Sequence, residues 1–568
     1  MKRFYDRRFV LSAMASAVLS ACSSRPQVSH PNVDSATGHS KNKNANFYRH
    51  GVASGDPASD SVVLWTRLSV ASTNSDANVS WELAESPDFN SLVAQGDCLT
   101  NKEKDFTVKV IPSRLNPGTT YYYRFVFRGS PSPVGRTKTL PTGRVEKYGV
   151  ALASCSNFAF GYFNAYDAIA KDTNVDLVLH TGDYIYEYGA QGWGSEVAQK
   201  LNRVHEPAHE TITLDDYRTR HAQYKTDKGS QAMHAAHPLV SCWDDHESAN
   251  NPWLSGAQNH QTKTEGEWTD RRAASVQAYY EWMPIRDPKS MDERLAFSRA
   301  YKIGDLADLV TLETRHTARA EQINYLNYTD KINSIEDANR FKSMIIGAPG
   351  REMLSRRTEQ LVKDTFTSTQ HRPWRLLGNA SPIARMLVPD INKLKILEDE
   401  RPEQLETKAA KALKWKAKYN LPFYTDTWDG YPWARQKFYE ACQSVDATDL
   451  IFLTGDSHSF WMNQLNDDHG TPMGIELGTA GITSPGDFIE SGYSGDVARK
   501  LDRAFESQLD EVVWTDNFHQ GYVRLNLTQS NAKTSFIAIS TVEETNYTIS
   551  TLKETVIERG HNGVQFKA

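Results

Sequence analysis

The sequence predicts an α/β fold, a layered β-sandwich flanked by helices, entered through an N-terminal all-β domain. Three observations predict it. Short alternating strands with turn residues between them fill the stretch from Phe47 to about Thr142. From Lys147 onward apolar runs alternate with helical stretches, the signature of a layered α/β domain. Four of those apolar runs break off into polar clusters, and strand ends are where such folds place their chemistry.

In chain order, residues 1–22 read as an export signal with a lipoprotein-type end. Met1 to Arg8 is basic, Phe9 to Ala21 is mostly apolar and too short to span a bilayer, and Arg7-Arg8 resembles a twin-arginine signal. Leu19-Ser-Ala-Cys22 resembles a lipoprotein cleavage box, which would leave Cys22 lipidated and the protein attached to a membrane. Residues 23–46 are polar and read as a flexible tether. The expected location is therefore outside the cytoplasm, in the periplasm or at the cell surface.

Residues 47–142 form the expected β-sandwich domain. Its strands are Val62 to Arg67, Val79 to Leu83, Phe106 to Ile111 and Thr119 to Phe127. The piece Leu115-Asn-Pro-Gly-Thr-Thr-Tyr-Tyr-Tyr-Arg124 resembles the corner of fibronectin type III modules. Residues 147–557 form the expected catalytic domain. Asp215 to His234 and Asp270 to Trp282 read as helices, Lys393 to Lys418 as a solvated helical insertion, and Gly521 to Ile557 as returning strands. No later run of about 20 apolar residues predicts a transmembrane helix.

A net charge of −6 argues against a dedicated nucleic-acid binder, which needs clustered Lys and Arg. Cys98, Cys155, Cys242 and Cys442 are too scattered to suggest a disulfide framework. Cys155 lies at a strand end, which suits a thiolate ligand; the other three read as buried inert thiols. His205-Glu-Pro-Ala-His209 matches the letters of the zinc-protease pattern H-E-x-x-H. Pro207 at its centre breaks the helix that would put both histidines on one face, so the match is rejected.

The strand-end clusters are Gly149 to Cys155, Val175 to Tyr186, Leu239 to Glu247 and Leu450 to His458. Together they suggest one shared metal centre, with Asp183 bridging two ions. Cys155, Tyr186 and His458 supply a thiolate, a phenolate and an imidazole, a set suited to ferric iron. Asp245 and Asp456 offer a harder oxygen site, suited to calcium, magnesium or manganese. Two such ions clamp the attacking and leaving oxygens of a phosphoryl displacement. His246 is placed to hydrogen-bond the phosphate or protonate the leaving alkoxide.

Longer motifs extend this pattern. Gly51-Val-Ala-Ser-Gly-Asp-Pro57, Val63-Leu-Trp-Thr-Arg67, Ser154-Cys-Ser-Asn157, Gly182-Asp-Tyr-Ile-Tyr-Glu187, Trp243-Asp-Asp-His-Glu247, Trp428-Asp-Gly-Tyr431 and Gly455-Asp-Ser-His458 occur in order. They resemble the PhoD-type alkaline phosphatase and phosphodiesterase family of the calcineurin-like metallophosphatases, over nearly the whole chain after the signal. The resemblance implies a phosphoric ester hydrolase with Fe(3+) held by Cys155, Asp183, Tyr186 and His458, and Ca(2+) held by Asp183, Asp245 and Asp456. Asn379 is a further candidate ligand for the second ion, and His246 and Asp183 are the candidate catalytic residues. Two segments depart from the family pattern: Leu312-Glu-Thr-Arg315 has Glu where Asp is usual, and Leu377-Gly-Asn-Ala380 lacks a Gln. Arg315 and His316 are left between phosphate contact and structural roles. The expected substrates are small-molecule, lipid or polymer phosphate esters. The alternatives are a surface glycan-binding protein with a degenerate hydrolase core, a phospholipase D-like phosphodiesterase, and a metalloenzyme acting on other substrates.

Overall fold

The computed structural model describes residues 46–70, 75–290, 293–367, 372–560 and 563–567. The expected signal peptide, Cys22 and nearly all of the tether lie outside the described residues. Contacts gather Phe47–Ala568 into one compact unit.

Two sheets dominate that unit. A ten-stranded sheet carries the parallel neighbours Lys147–Ala153, Leu177–His180 and Leu239–Ser241 at its centre. A seven-stranded sheet carries Ala307–Thr311, Trp374–Asn379, Leu450–Thr454 and Pro472–Gly478 in parallel order. These central strands are apolar nearly throughout because parallel strands are covered on both faces. Their alternation sorts the layers. Leu177 and Leu179 meet Leu376, Ile451 and Leu453 in the core between the sheets. Val178 instead packs outward against Ile169, Tyr217, Met233 and Tyr279, the side chains of one helical layer. Leu377 and Phe452 pack outward against Val362, Phe366 and Phe438, the other layer. The result is helix, sheet, sheet, helix. Each buried Leu, Ile or Phe contributes about 1.5–3 kcal/mol of transfer free energy, so this interior supplies most of the driving force.

The N-terminal strands do not form a module closed on itself. Ala77–Ala84, Leu92–Thr100, Thr120–Phe127, Ser130–Pro131 and Gly135–Lys138 make a separate five-stranded sheet. Val52–Gly55, Val63–Arg67 and Thr107–Val110 instead extend the ten-stranded sheet, through the parallel pair Gly55↔Leu239. Val52, Leu64 and Val108 then meet Leu83, Tyr121, Tyr123 and Phe125 across the sandwich core. One layer of the sandwich is thus the end of the ten-stranded sheet.

The helical stretch expected over Asp215 to His234 is two helices, Leu214–Tyr224 and Lys228–Ala236. The break has a local cause: Asp227 turns extended and its side chain accepts from the amides of Gly229 and Ser230, starting a new helix. The helix expected from Asp270 runs Trp268–Trp282, and the charged insertion ends in the helix Lys408–Tyr419. Of the three thiols expected to be buried, Cys242 and Cys442 are; Cys98 is half-buried, since it sits on the outer strand Leu92–Thr100. The four described cysteines form no disulfide. The segment around Pro207 forms no helix; His205 is buried beside Tyr224, and His209 is exposed and hydrogen-bonded to Asp216. Among the described residues no helix is long and apolar enough to cross a membrane.

Candidate metal centre

The parallel strands of both sheets end at one edge, and the loops leaving them touch. Cys155 follows Lys147–Ala153, Asp183 follows Leu177–His180, Asp244 and Asp245 follow Leu239–Ser241, and Asp456 and His458 follow Leu450–Thr454. Cys155, Asp183, Asp456 and His458 all hold left-handed backbone, with φ of 59°, 55°, 64° and 56°. That conformation costs a non-glycine residue about 1–3 kcal/mol, and such strain gathers at functional sites. Here the loops brace one another: the amide of Cys155 donates to Gly182 O at 3.2 Å, and that of Ser156 to Asp183 O at 2.9 Å. The two glycines that precede aspartates are there for clearance. A Cβ on Gly182 would collide with Asp244, and one on Gly455 with Ser154 and Thr181.

Three sets of ligand atoms converge, each within 4.8 Å of one another: Cys155, Asp183 and His458; Asp183, Asp245 and His246; and Asp183, Asp244, Asp245 and Asp456. Asp183 belongs to all three, and every member is buried. Tyr186 joins the first set, with its hydroxyl donating to Asp183 Oδ2 at 3.0 Å and lying 3.4 Å from His458 Nε2 and 2.9 Å from Ser484 Oγ. Burial, then the charges of Asp183 and Cys155, push the Tyr186 phenol well above its ordinary range.

Three carboxylates of the third set, those of Asp244, Asp245 and Asp456, lie around one guanidinium, that of Arg315. Its Nε donates to Asp244 Oδ1 at 2.6 Å, while Nη2 lies 3.6 Å from Asp456 Oδ2 and 4.0 Å from Asp245 Oδ1. Two like charges 4 Å apart repel by about 4 kcal/mol even at an effective dielectric of 20. One guanidinium cannot balance these three groups and Asp183 beside them, so the donor set fits bound metal ions, with oxygen donors on one side and thiol, phenol and imidazole on the other.

Neighbours fix the orientation of these donors. His458 presents Nδ1 to Pro485 O at 3.2 Å and stacks on Trp193 with ring centres 5.5 Å apart. His246 presents Nδ1 to Glu187 Oε2 at 2.7 Å, and its Nε2 has no hydrogen-bond partner. Glu187 also accepts from the Asn250 amide at 3.0 Å and from Asn259 Nδ2 at 2.6 Å. Burial alone would raise the Glu187 carboxyl, but His246 beside it holds it below its ordinary value. Glu247 accepts the amides of Tyr184 at 2.7 Å and Asp244 at 3.0 Å, strapping two of the loops together. Burial pushes Glu247 up to about 7.

Cys155, Asp183, Tyr186, Asp245, His246, Asp456 and His458, all read from the sequence, thus meet at one edge. Asn379 ends its own strand at that edge, in register with Thr454; its Nδ2 donates to Ser381 O at 2.6 Å and its buried Oδ1 has no hydrogen-bond partner. His316 turns elsewhere, against Trp243 and 3.4 Å from Ser248 Oγ; burial, Arg272 and Arg315 hold it well below its ordinary pKa. Sequence reasoning passed over Asp244, Glu187 and Trp193. The first two stand inside quoted motifs, next to residues that were chosen; nothing in the local pattern marks Trp193. A cavity of about 1060 Å³ opens elsewhere, lined by Asp56, Arg286, Arg299 and Tyr301, and none of the converging residues borders it.

Known proteins match this chain over most of its length. A family model described as PhoD-like phosphatase matches residues 150–536, and one for the N-terminal domain of PhoD-like phosphatases matches residues 33–141. Alkaline phosphatase D of Bacillus subtilis (strain 168) is 34% identical over 529 residues, covering 91% of this chain and 81% of that protein. A solved structure of PhoD superposes with a TM-score of 0.73 at 29% identity, covering 93% of this chain and 94% of the other.

Proposed function

The chain belongs to the PhoD-like phosphatase family and is a phosphoesterase, and from that premise we propose that it is an exported hydrolase of phosphoric esters with a mixed iron and calcium centre. In this reading Cys155, Asp183, Tyr186 and His458 hold Fe(3+), and Asp183, Asp245 and Asp456, with Asn379, hold Ca(2+). The observation that carries it is the membership of Asp183 in every converging set. When bound, the ions supply charge neutralisation and water activation.

The chain's own residues do the rest. The braced left-handed loops hold the donors at fixed separations before substrate arrives, so little reorganisation is needed during reaction. Glu187 keeps the proton of His246 on Nδ1 and sets the ring angle, leaving Nε2 turned toward Asp245 Oδ2 at 3.9 Å. From there Nε2, once protonated, gives its proton to the departing alkoxide as water attacks phosphorus from the opposite side. Trp193 and Tyr188, packed on His458 and His246, exclude bulk water from that exchange. The proposed export and lipid attachment rest on Arg7-Arg8, which resembles a twin-arginine signal, and on Leu19-Ser-Ala-Cys22, which resembles a lipoprotein cleavage box; labelled palmitate should enter the wild type and not Cys22→Ser.

The test is turnover of aryl phosphate monoesters and diesters before chelation, after it, and with iron and calcium restored. Loss and recovery of both activities support the reading, with inorganic phosphate as a competitive inhibitor. Unchanged turnover in a chain shown to hold no metal would sink it.

A further inference from the structure

The guanidinium of Arg315 is bound in an unusual way for a buried arginine. Arg220 uses Nε, Nη1 and Nη2 on the carbonyls of Glu206, Tyr186 and Pro207. Arg271 likewise engages all three nitrogens, with Tyr217, Asn259, Glu265 and Glu210. Arg315 engages one. Its Nε meets Asp244 Oδ1 side-on, while Nη1 and Nη2 have no hydrogen-bond partner although the side chain is fully buried. An arginine kept only to neutralise a carboxylate would present its forked end, which forms two parallel bonds.

That posture is held from behind. Glu313 Oε1 accepts the backbone amides of Arg315 at 2.7 Å and His316 at 2.6 Å, and its Oε2 accepts the amide of Thr317 at 3.0 Å. Glu247 holds the amide of Asp244, so the partner of Nε is fixed as well. Within the fork, Nη2 is left 4.0 and 3.6 Å from Asp245 and Asp456, too far for hydrogen bonds. Those carboxylates are the ones committed to a cation in the hydrolase reading. Once they are so engaged, the fork retains its charge and its unsatisfied N–H groups in a water-poor pocket, where a tetrahedral oxyanion satisfies both.

We propose that Arg315 is a catalytic residue that grips two non-bridging oxygens of the substrate phosphoryl group through Nη1 and Nη2. This rests on the phosphoester reading of the same site and assigns it its anion-binding side chain. Glu313 and Asp244 are then the positioning residues for that grip.

The experiment compares the full-length wild type with Arg315→Lys and Arg315→Gln, all loaded with metal and checked by elemental analysis. It reads the inhibition constants of inorganic phosphate and orthovanadate beside kcat and KM on an aryl phosphate. The expected result is an unchanged metal content with phosphate binding weakened about 10- to 100-fold in both variants, the loss for a charge-assisted bidentate contact. Added guanidinium should return part of the activity of Arg315→Ala. Phosphate inhibition within twofold of wild type in a metal-loaded, active variant overturns the assignment alone. So does a defect that disappears when excess cation is supplied, because the arginine would then serve only the metal set. If Arg315→Gln fails to fold, Arg315→Lys decides: a charge-only role keeps phosphate inhibition, and the fork loses it. A wild type that neither turns over esters nor binds phosphate overturns the hydrolase reading, and this assignment with it.

Discussion

Two buried carboxylate neighbourhoods, one within the seven-stranded sheet and one at the strand ends of both sheets, behave in opposite ways. Glu476, on the strand Pro472–Gly478, accepts from the amides of Ile383 and Ala384 at 2.9 and 3.0 Å, from Thr454 Oγ1 at 2.8 Å and from Asn463 Nδ2 at 2.9 Å. Each of its lone pairs meets a donor, and the loop after Asn379 is pinned. At the strand ends, by contrast, Asp183, Asp244, Asp245 and Asp456 converge on one another, the last three beside a single guanidinium. The first arrangement is complete within the protein. The second crowds like charges together, which the proposed ions would neutralise. Crowding of like charge, rather than burial, distinguishes the two neighbourhoods.

The largest expected effect breaks the second neighbourhood. Asp183→Asn should lower turnover of aryl phosphates by on the order of 10³-fold or more, since a residue common to all sets acts as a unit with them. The circular dichroism spectrum should stay that of the wild type. Near-normal turnover would mean that Asp183 is a loop residue and nothing else. Next, Glu187→Gln should cost about 10- to 100-fold in kcat, as removal of the groups behind catalytic ligands usually does. Its pH–rate profile should also shift, because His246 loses the carboxylate that fixes its tautomer; a fall in kcat with an unmoved profile would reduce Glu187 to packing.

The comparison is sharpened from the other side by Glu476→Gln. It should leave metal content and KM near wild type but lower the melting temperature, at about 1–3 kcal/mol for each donor left orphaned. Loss of metal with no loss of stability would merge the two neighbourhoods. A smaller effect is expected at Asp502, buried on the helix Gly495–Gln508 and bonded to Asn517 Nδ2 at 2.7 Å. Burial first, then the nearby charges of Asp516 and Glu506, push its carboxyl up from 3.8 to about 8. The folded chain therefore holds that proton more tightly than the unfolded one. Its stabilising contribution is complete below the unfolded value and is lost as pH climbs through about 8. Asp502→Asn should flatten the fall in melting temperature between neutral and alkaline pH, and a parallel curve would refute the assignment. Smallest of all, His209→Ala should change neither metal content nor turnover, despite its place in a protease-like string of letters.

How much of this was legible in the sequence follows from how far each signal reaches. The buried strands could be read because their apolar runs are a local property, and so could the loop chemistry, because Gly-Asp pairs at strand ends announce a sharp turn. The sharing of one sheet between the N-terminal sandwich and the catalytic layers could not, since it depends on Gly55 finding Leu239 far along the chain. The split of the helix at Asp227 was readable in principle: an Asp two residues before a glycine is a capping signal that the surrounding polar run concealed. Within the site, the candidate ligands and also Glu187 and Asp244 stand in motifs, whereas Trp193 reaches the site only through its stacking on His458. The side-on use of Arg315 is a matter of angle, which no spacing encodes.

The central claim is that one carboxyl group, that of Asp183, serves two ions at once, and counting metal reaches it most directly. Iron and calcium per chain, measured by elemental analysis on purified wild type and on Asp183→Asn after equal dialysis, should show both ions in the first and neither at full occupancy in the second. Full retention of both ions by the variant, or the clean loss of one beside full retention of the other, would contradict it.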